Sequence, residues 1–176
     1  MTDTLRTVAL ACAMLAIGAS NAAAQNATLK GDLLKDWNGL KDTMAKIASA
    51  MPEDKVGFKP TPPQRSYAEQ ILHVATVNMR LLRVLGANAP APAINDKATS
   101  KADVTKAMTD SFDYGAAIIN EQTDQSIVGT IQAGFMGPST RARVVWFLIG
   151  HTWDIYGQMA VYLRLNGVVP PASQRP

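Results

Sequence analysis

Apolar residues recur along this chain at helical spacing. Leu33, Trp37, Leu40, Met44, Ile47 and Met51 follow one another in steps of three and four, with Lys and Asp between them. That is a single stripe on a helix of 3.6 residues per turn, and it predicts a first helix from about Thr28 to Met51. Four prolines between Pro52 and Pro63 break the pattern. Ser66-Tyr67-Ala68-Glu69 then reads as a capping box, in which Ser and Glu satisfy each other's free backbone donors. Ile71, Leu72, Ala75, Met79, Leu82 and Leu85 give this second helix its apolar face, and Gly86 stops it. Ala87 to Thr99 has no helical period. A third helix restarts at Ser100 and carries Val104, Ala107, Met108, Phe112, Ala116 and Ile119.

Thr123 to Pro138 is a long connection, whose Ile127, Val128 and Ile131 are expected to tuck under the domain without pairing into a strand. The fourth helix is predicted from Ser139 to about Asn166, roughly 42 Å long at 1.5 Å per residue. Its run from Val144 to Ile149 is apolar all round, which predicts the most deeply placed helix of the set. Gly167 suits a left-handed cap, and Pro170-Pro171 forbids continuation. Four amphipathic helices and no sheet predict an all-α four-helix bundle.

The amino terminus is read separately. Val8 to Ala19 is an uncharged run of twelve residues, followed by Ser20-Asn21-Ala22-Ala23-Ala24-Gln25. This is the layout of a secretory signal peptide over residues 1–24, cleaved before Gln25, and it predicts a periplasmic or secreted protein. Twelve residues reach only about 18 Å, short of the ~30 Å bilayer core, so no stable membrane anchor is expected. A lipoprotein reading must use Cys12, which leaves almost no apolar run before the cut. Cys12 is the single cysteine, so the mature domain, residues 25–176, would hold no thiol or disulfide of its own.

Length and 47% hydrophobic content fit one domain with a core. Seventeen Lys and Arg against fourteen Asp and Glu, without clustering, give no nucleic-acid footprint. Candidate chemistry rests on the only two histidines, His73 in the second helix and His151 in the fourth. Each alone reads as a buried, hydrogen-bonded imidazole; together, facing helices of a bundle can converge them on a site. Asp154, at i+3 from His151, could complete two histidines and a carboxylate, a set suited to iron or zinc with open positions. The preferred reading of Asp154 is a solvated or salt-bridged helix charge, because carboxylates are rarely buried unpaired. Ile155, at i+4, has no donor atom. Glu69 is one turn from His73, and its capping role already accounts for it. Trp153, Tyr156, Gln158, Tyr162 and Arg164 are weaker candidates. Neither a nucleophile elbow nor a phosphate loop is present.

The stretch Arg65-Ser66-Tyr67-Ala68-Glu69-Gln70-Ile71-Leu72-His73 resembles the second-helix motif of the DinB-like (YfiT-like) four-helix bundle superfamily. His151-Thr152-Trp153-Asp154-Ile155-Tyr156-Gly157-Gln158-Met159 resembles its fourth-helix motif, and the ending Tyr162 to Ser173 is similar to the tail of an exported branch. The resemblance implies a bundle with a long crossover between the second and third helices, here Ala87 to Thr99. It implies a divalent metal, zinc or nickel, held by a histidine of the second helix and an H-x-x-x-H pair of the fourth. His73 and His151 match two of those positions, and Ile155 stands at the third. Some members are thiol-dependent transferases or isomerases. The expectation is therefore an exported binding or scaffold module with a degenerate divalent-metal site, rather than an enzyme. The alternative is a metal-dependent thiol transferase or hydrolase with another third ligand. A small molecule or thiol is the expected partner, a homodimer is the alternative association, and nucleic acid is not expected.

Overall fold

In the computed structural model, residues 27–174 are described. The proposed signal peptide and Cys12 lie outside them. The first helix, α1 (Leu29–Ala50), begins where the Thr28 side chain accepts from the Gly31 amide, and its predicted stripe is buried. Pro52 ends it. The second, α2 (Tyr67–Leu82), opens with both halves of the capping box formed by Ser66 and Glu69, and passes through a 3-10 turn to Gly86, at φ 67°. The crossover follows without regular structure to Ser100, the N-cap of α3 (Lys101–Glu121). After a four-residue helix, α4 (Asp124–Ile127), comes the last long helix, α5 (Arg141–Leu165), N-capped by Thr140.

Two expectations fail between α3 and α5. The bundle carries a small sheet: β1 (Thr130–Gln132) pairs antiparallel with β2 (Pro138–Thr140), Ile131 facing Ser139 in the register. Gly134 and Gly137, at φ 59° and 64°, close this hairpin in left-handed conformations that other residues seldom adopt. Only Ile127 and Ile131 turn toward the core; Val128 is exposed. Ser139 belongs to β2, so α5 starts two residues later than expected. Nor is α5 the most deeply placed helix, because Trp146, within its apolar run, is 68% exposed.

The principal contacts run α1 with α3, α3 with α2, α2 with α5 and α5 with α1. That order puts α1 and α2, consecutive in sequence, on opposite corners. Trp37 of α1, fully buried, donates from Nε1 to the Phe112 carbonyl at 2.8 Å and packs on the Phe112 ring at 4.8 Å. Gly115 makes this approach possible, since a Cβ there would fall 2.3 Å from Trp37 Cζ2. Between α2 and α3, buried Asn78 donates to Ser111 Oγ. Among the described residues, no helix is long and apolar enough to cross a membrane.

Candidate functional site

The α2–α5 contact brings the two histidines together. His73 sits three and four residues from the buried Gln70 and Val77 that seat α2, so its ring leaves the core at the seam facing α5. His151 does the same from α5, between buried Leu148, Thr152 and Ile155. Their Nε2 atoms lie 3.2 Å apart, and both rings are half-buried. Phe147, one turn before His151, stacks on it at 6.4 Å with the planes 15° apart.

Burial, helped by nearby positive charge, keeps both rings neutral. Burial is the main cause, and it lowers His73 to about 4, with the Arg65 guanidinium, the His151 ring and the Arg80 guanidinium adding to it. His151 is lowered as well, first by burial and then by Arg65 and Arg80, against a raising influence from Asp154. Two neutral imidazoles share one proton between their Nε2 atoms. His151 Nδ1 is buried with no partner among the described residues. A bare lone pair there is cheaper than an unbonded N–H, which makes His151 Nε2–H the donor and His73 Nε2 the acceptor.

The structure leaves Asp154 outside this pair. It is exposed, and its carboxylate accepts from Gln158 Nε2 at 2.9 Å. Gln158 Oε1 accepts in turn from Gln70 Nε2 at 2.7 Å, so an amide chain from α2 ends on the carboxylate. Ile155 is 2% exposed and packs in the core. Glu69 stays with its cap, accepting from the Ser66 amide at 2.6 Å and pairing with Lys59, and these contacts hold its carboxyl below the usual range. The Tyr162 hydroxyl donates to the Arg65 carbonyl at 2.9 Å, tying the approach to α2 onto α5.

Two imidazole nitrogens bound to one zinc at ~2.05 Å in a tetrahedral arrangement would lie about 3.3 Å apart. The spacing of the pair suits that, but the rest of the donor set does not. Among the described residues, no three His, Cys, Asp or Glu side chains gather closely enough to hold an ion. A metal-bound histidine also passes its other ring N–H to an acceptor, and the buried His151 Nδ1 has none. These residues do not complete a metal centre.

His73 opens onto a cleft of about 430 Å³, whose walls include Lys59, Arg65, Leu72 and Thr76. Sequence reasoning singled out neither Arg65 nor Arg80, although Arg80 lies seven residues, two helical turns, beyond His73. It also passed over Gln70 and Phe147. Gln70 is a polar residue within an apolar face, and that signal could have found it.

The molecule has relatives of the same architecture. A DinB-like protein from Bacillus cereus matches it with a TM-score of 0.64 and 20% identity, over 79% of this chain and 93% of that one. A DinB-like protein from Bacillus subtilis matches with a TM-score of 0.64 and 19% identity, over 82% of this chain and 99% of the other. No curated protein matches the chain. The sequence pattern of the DinB superfamily spans residues 38–159, from α1 to the last turns of α5 and across both histidines, and the chain belongs to that superfamily.

Proposed function

We propose that this DinB-superfamily chain is an exported binding module, with its ligand site at the His73–His151 pair and with a divalent-metal site reduced to two of three protein ligands. The observation that carries the reading is the pair itself: two neutral imidazoles 3.2 Å apart, with no third donor beside them among the described residues. Export rests on the signal-peptide layout of residues 1–24. The ligand is a small molecule bearing an acidic group. Arg65 and Arg80 both act electrostatically on the two rings, and neither forms an ion pair among the described residues. A metal-dependent thiol transferase or hydrolase would need a third ligand, and Asp154, exposed and bonded to Gln158, does not bring one to the pair.

Heteronuclear NMR of the untagged protein tests this with two probes, zinc and the dicarboxylate glutarate. Glutarate should shift the resonances of Arg65, His73 and Thr76, and zinc should stay substoichiometric after purification. Stoichiometric zinc retained by the wild type would overturn the reduced-site reading. Silence of the cleft resonances toward glutarate would overturn the acidic ligand.

A further inference from the structure

The helix that supplies His151 to the site also presents a second, unrelated face to solvent. Trp146, Gly150, Trp153 and Gly157 are all exposed, at successive steps of four, three and four. His151 lies about 140° around the helix from Trp146, so this face is separate from the histidine pair. Two of the three tryptophans of the chain are here, 68% and 48% exposed. A Cβ placed on either glycine would meet nothing within 4 Å. The face therefore alternates two large knobs with two shallow hollows.

We propose that this face is a self-association surface, on which a second copy of the chain docks with its α5 antiparallel to the first. A two-fold axis passing between His151 and Thr152 carries Trp146 onto Gly157 of the second copy and Trp153 onto Gly150. The same axis sets exposed Val161 opposite Ala142. Every large residue meets a small one, and every contact is made twice, as an isologous interface requires. The Trp-to-Trp and Gly-to-Gly spacings are both seven residues, the period that keeps a helix seam facing its partner.

Charge and area agree with this occupant. From Val144 to Leu163 the helix carries one charge, Asp154, at the margin of the face, so two copies meet without like-charge opposition at the centre. With about 250 Å² for a whole tryptophan, the two indoles expose about 290 Å² per copy. That is over a third of the roughly 800 Å² per partner in a stable interface, and the seam from Ala142 to Val161 extends it along about 28 Å of helix. A lipid surface would bury the indoles but leave the glycine hollows unfilled, and an interfacial helix carries several basic residues along its length, where this seam has Arg143 alone, at one end.

Sedimentation velocity on the full chain under reducing conditions tests the register, from 1 to 100 μM, ranges set around the affinity of a modest interface. The wild type should be dimeric at the upper end. Gly157→Phe places a ring where open space exists, so the fold should tolerate it, and dimerisation should weaken by about tenfold or more. Trp146→Ala should do the same. The double change Trp146→Gly with Gly157→Trp exchanges knob and hollow, and it should restore association to near the wild-type value. A wild type that stays monomeric at 100 μM overturns the proposal, whether or not it binds phosphatidylglycerol vesicles. A dimer unaffected by Gly157→Phe forms through another face and overturns it equally, and so does a double variant no better than the single ones.

Discussion

Ile155→His is the most informative single change, because it separates ancestry of the site from its present chemistry. Ile155 follows His151 by four residues, so a histidine there shares its side of α5. The side chain is 2% exposed. Replacing it removes about 1.5–3 kcal/mol of apolar burial, and an imidazole without partners costs roughly 1–3 kcal/mol more, less what its own ring recovers. A net loss of about 3 kcal/mol is expected without metal. For a domain of this size each kcal/mol moves Tm by about 2–4 °C, so the apo variant should melt about 6–12 °C below the wild type. Zinc at one hundred times its Kd returns about 2.7 kcal/mol, or about 5–11 °C. The wild type, with two imidazoles, should gain far less. Melting curves with and without zinc, and competition against a chromogenic chelator, measure both sides of this balance. A folded Ile155→His protein whose zinc-dependent shift is no larger than that of the wild type would refute the argument that residues 73, 151 and 155 converge.

Three further outcomes are expected. Gly115→Ala forces its methyl into Trp37, whose ring is held by the Phe112 carbonyl and cannot retreat; overpacking less the gain in helix propensity should cost about 2 kcal/mol, seen as a Tm loss of about 4–8 °C, and an unchanged Tm would mean that α1 and α3 are not so closely apposed. His73, held to about 4 by burial and then by Arg65, His151 and Arg80, stays neutral in the fold while the unfolded chain takes up a proton from 6.5 downward; its contribution is present above pH 6.5 and lost as the pH falls toward 4. NMR titration should find that low midpoint, with melts of His73→Gln less acid-sensitive than wild type over the same window; titration of the ring near 6.5 would contradict the burial argument. Expressed in a bacterial host, the periplasmic protein should begin at Gln25 by intact mass, and a retained Met1 would dismiss the export reading.

The three-and-four pattern of α1 was legible because one stripe of large residues faces one core, and every predicted member from Leu33 to Met51 is buried. The caps at Ser66 and Ser100 were equally legible, since a side-chain oxygen before a helix has one economical use. The hairpin was not. Three residues per strand are too few to show an alternation, and its turn depends on positive φ at Gly134 and Gly137. The misplacement of α5 has a different origin. An apolar run implies burial only if something covers it, and Trp146 shows that nothing among the described residues does. At the site, the bundle allowed His73 and His151 to meet, but their 3.2 Å approach depends on the α2–α5 seam. The position of Asp154 had a local clue, because Gln158 stands one turn away and such i,i+4 pairs attract.

The two faces of α5 have opposite demands, which explains how one helix can carry both. Toward α2 it must hold an imidazole at hydrogen-bond distance from another, so that side is fixed by Leu148, Thr152, Ile155 and Met159, all buried. Toward solvent nothing constrains the side chains, yet the sequence places tryptophan and glycine there instead of the Lys and Glu that a solvated helix accepts at no cost. Exposed glycine weakens a helix by about 1 kcal/mol relative to alanine, and Gly150 and Gly157 carry that penalty with no contact among the described residues to justify it. Within the monomer these two residues are a loss without compensation. Under a second copy, each becomes the space that an indole needs. Replacing both by alanine separates the two accounts: a monomer should become more stable, while a dimer seated on those hollows should come apart.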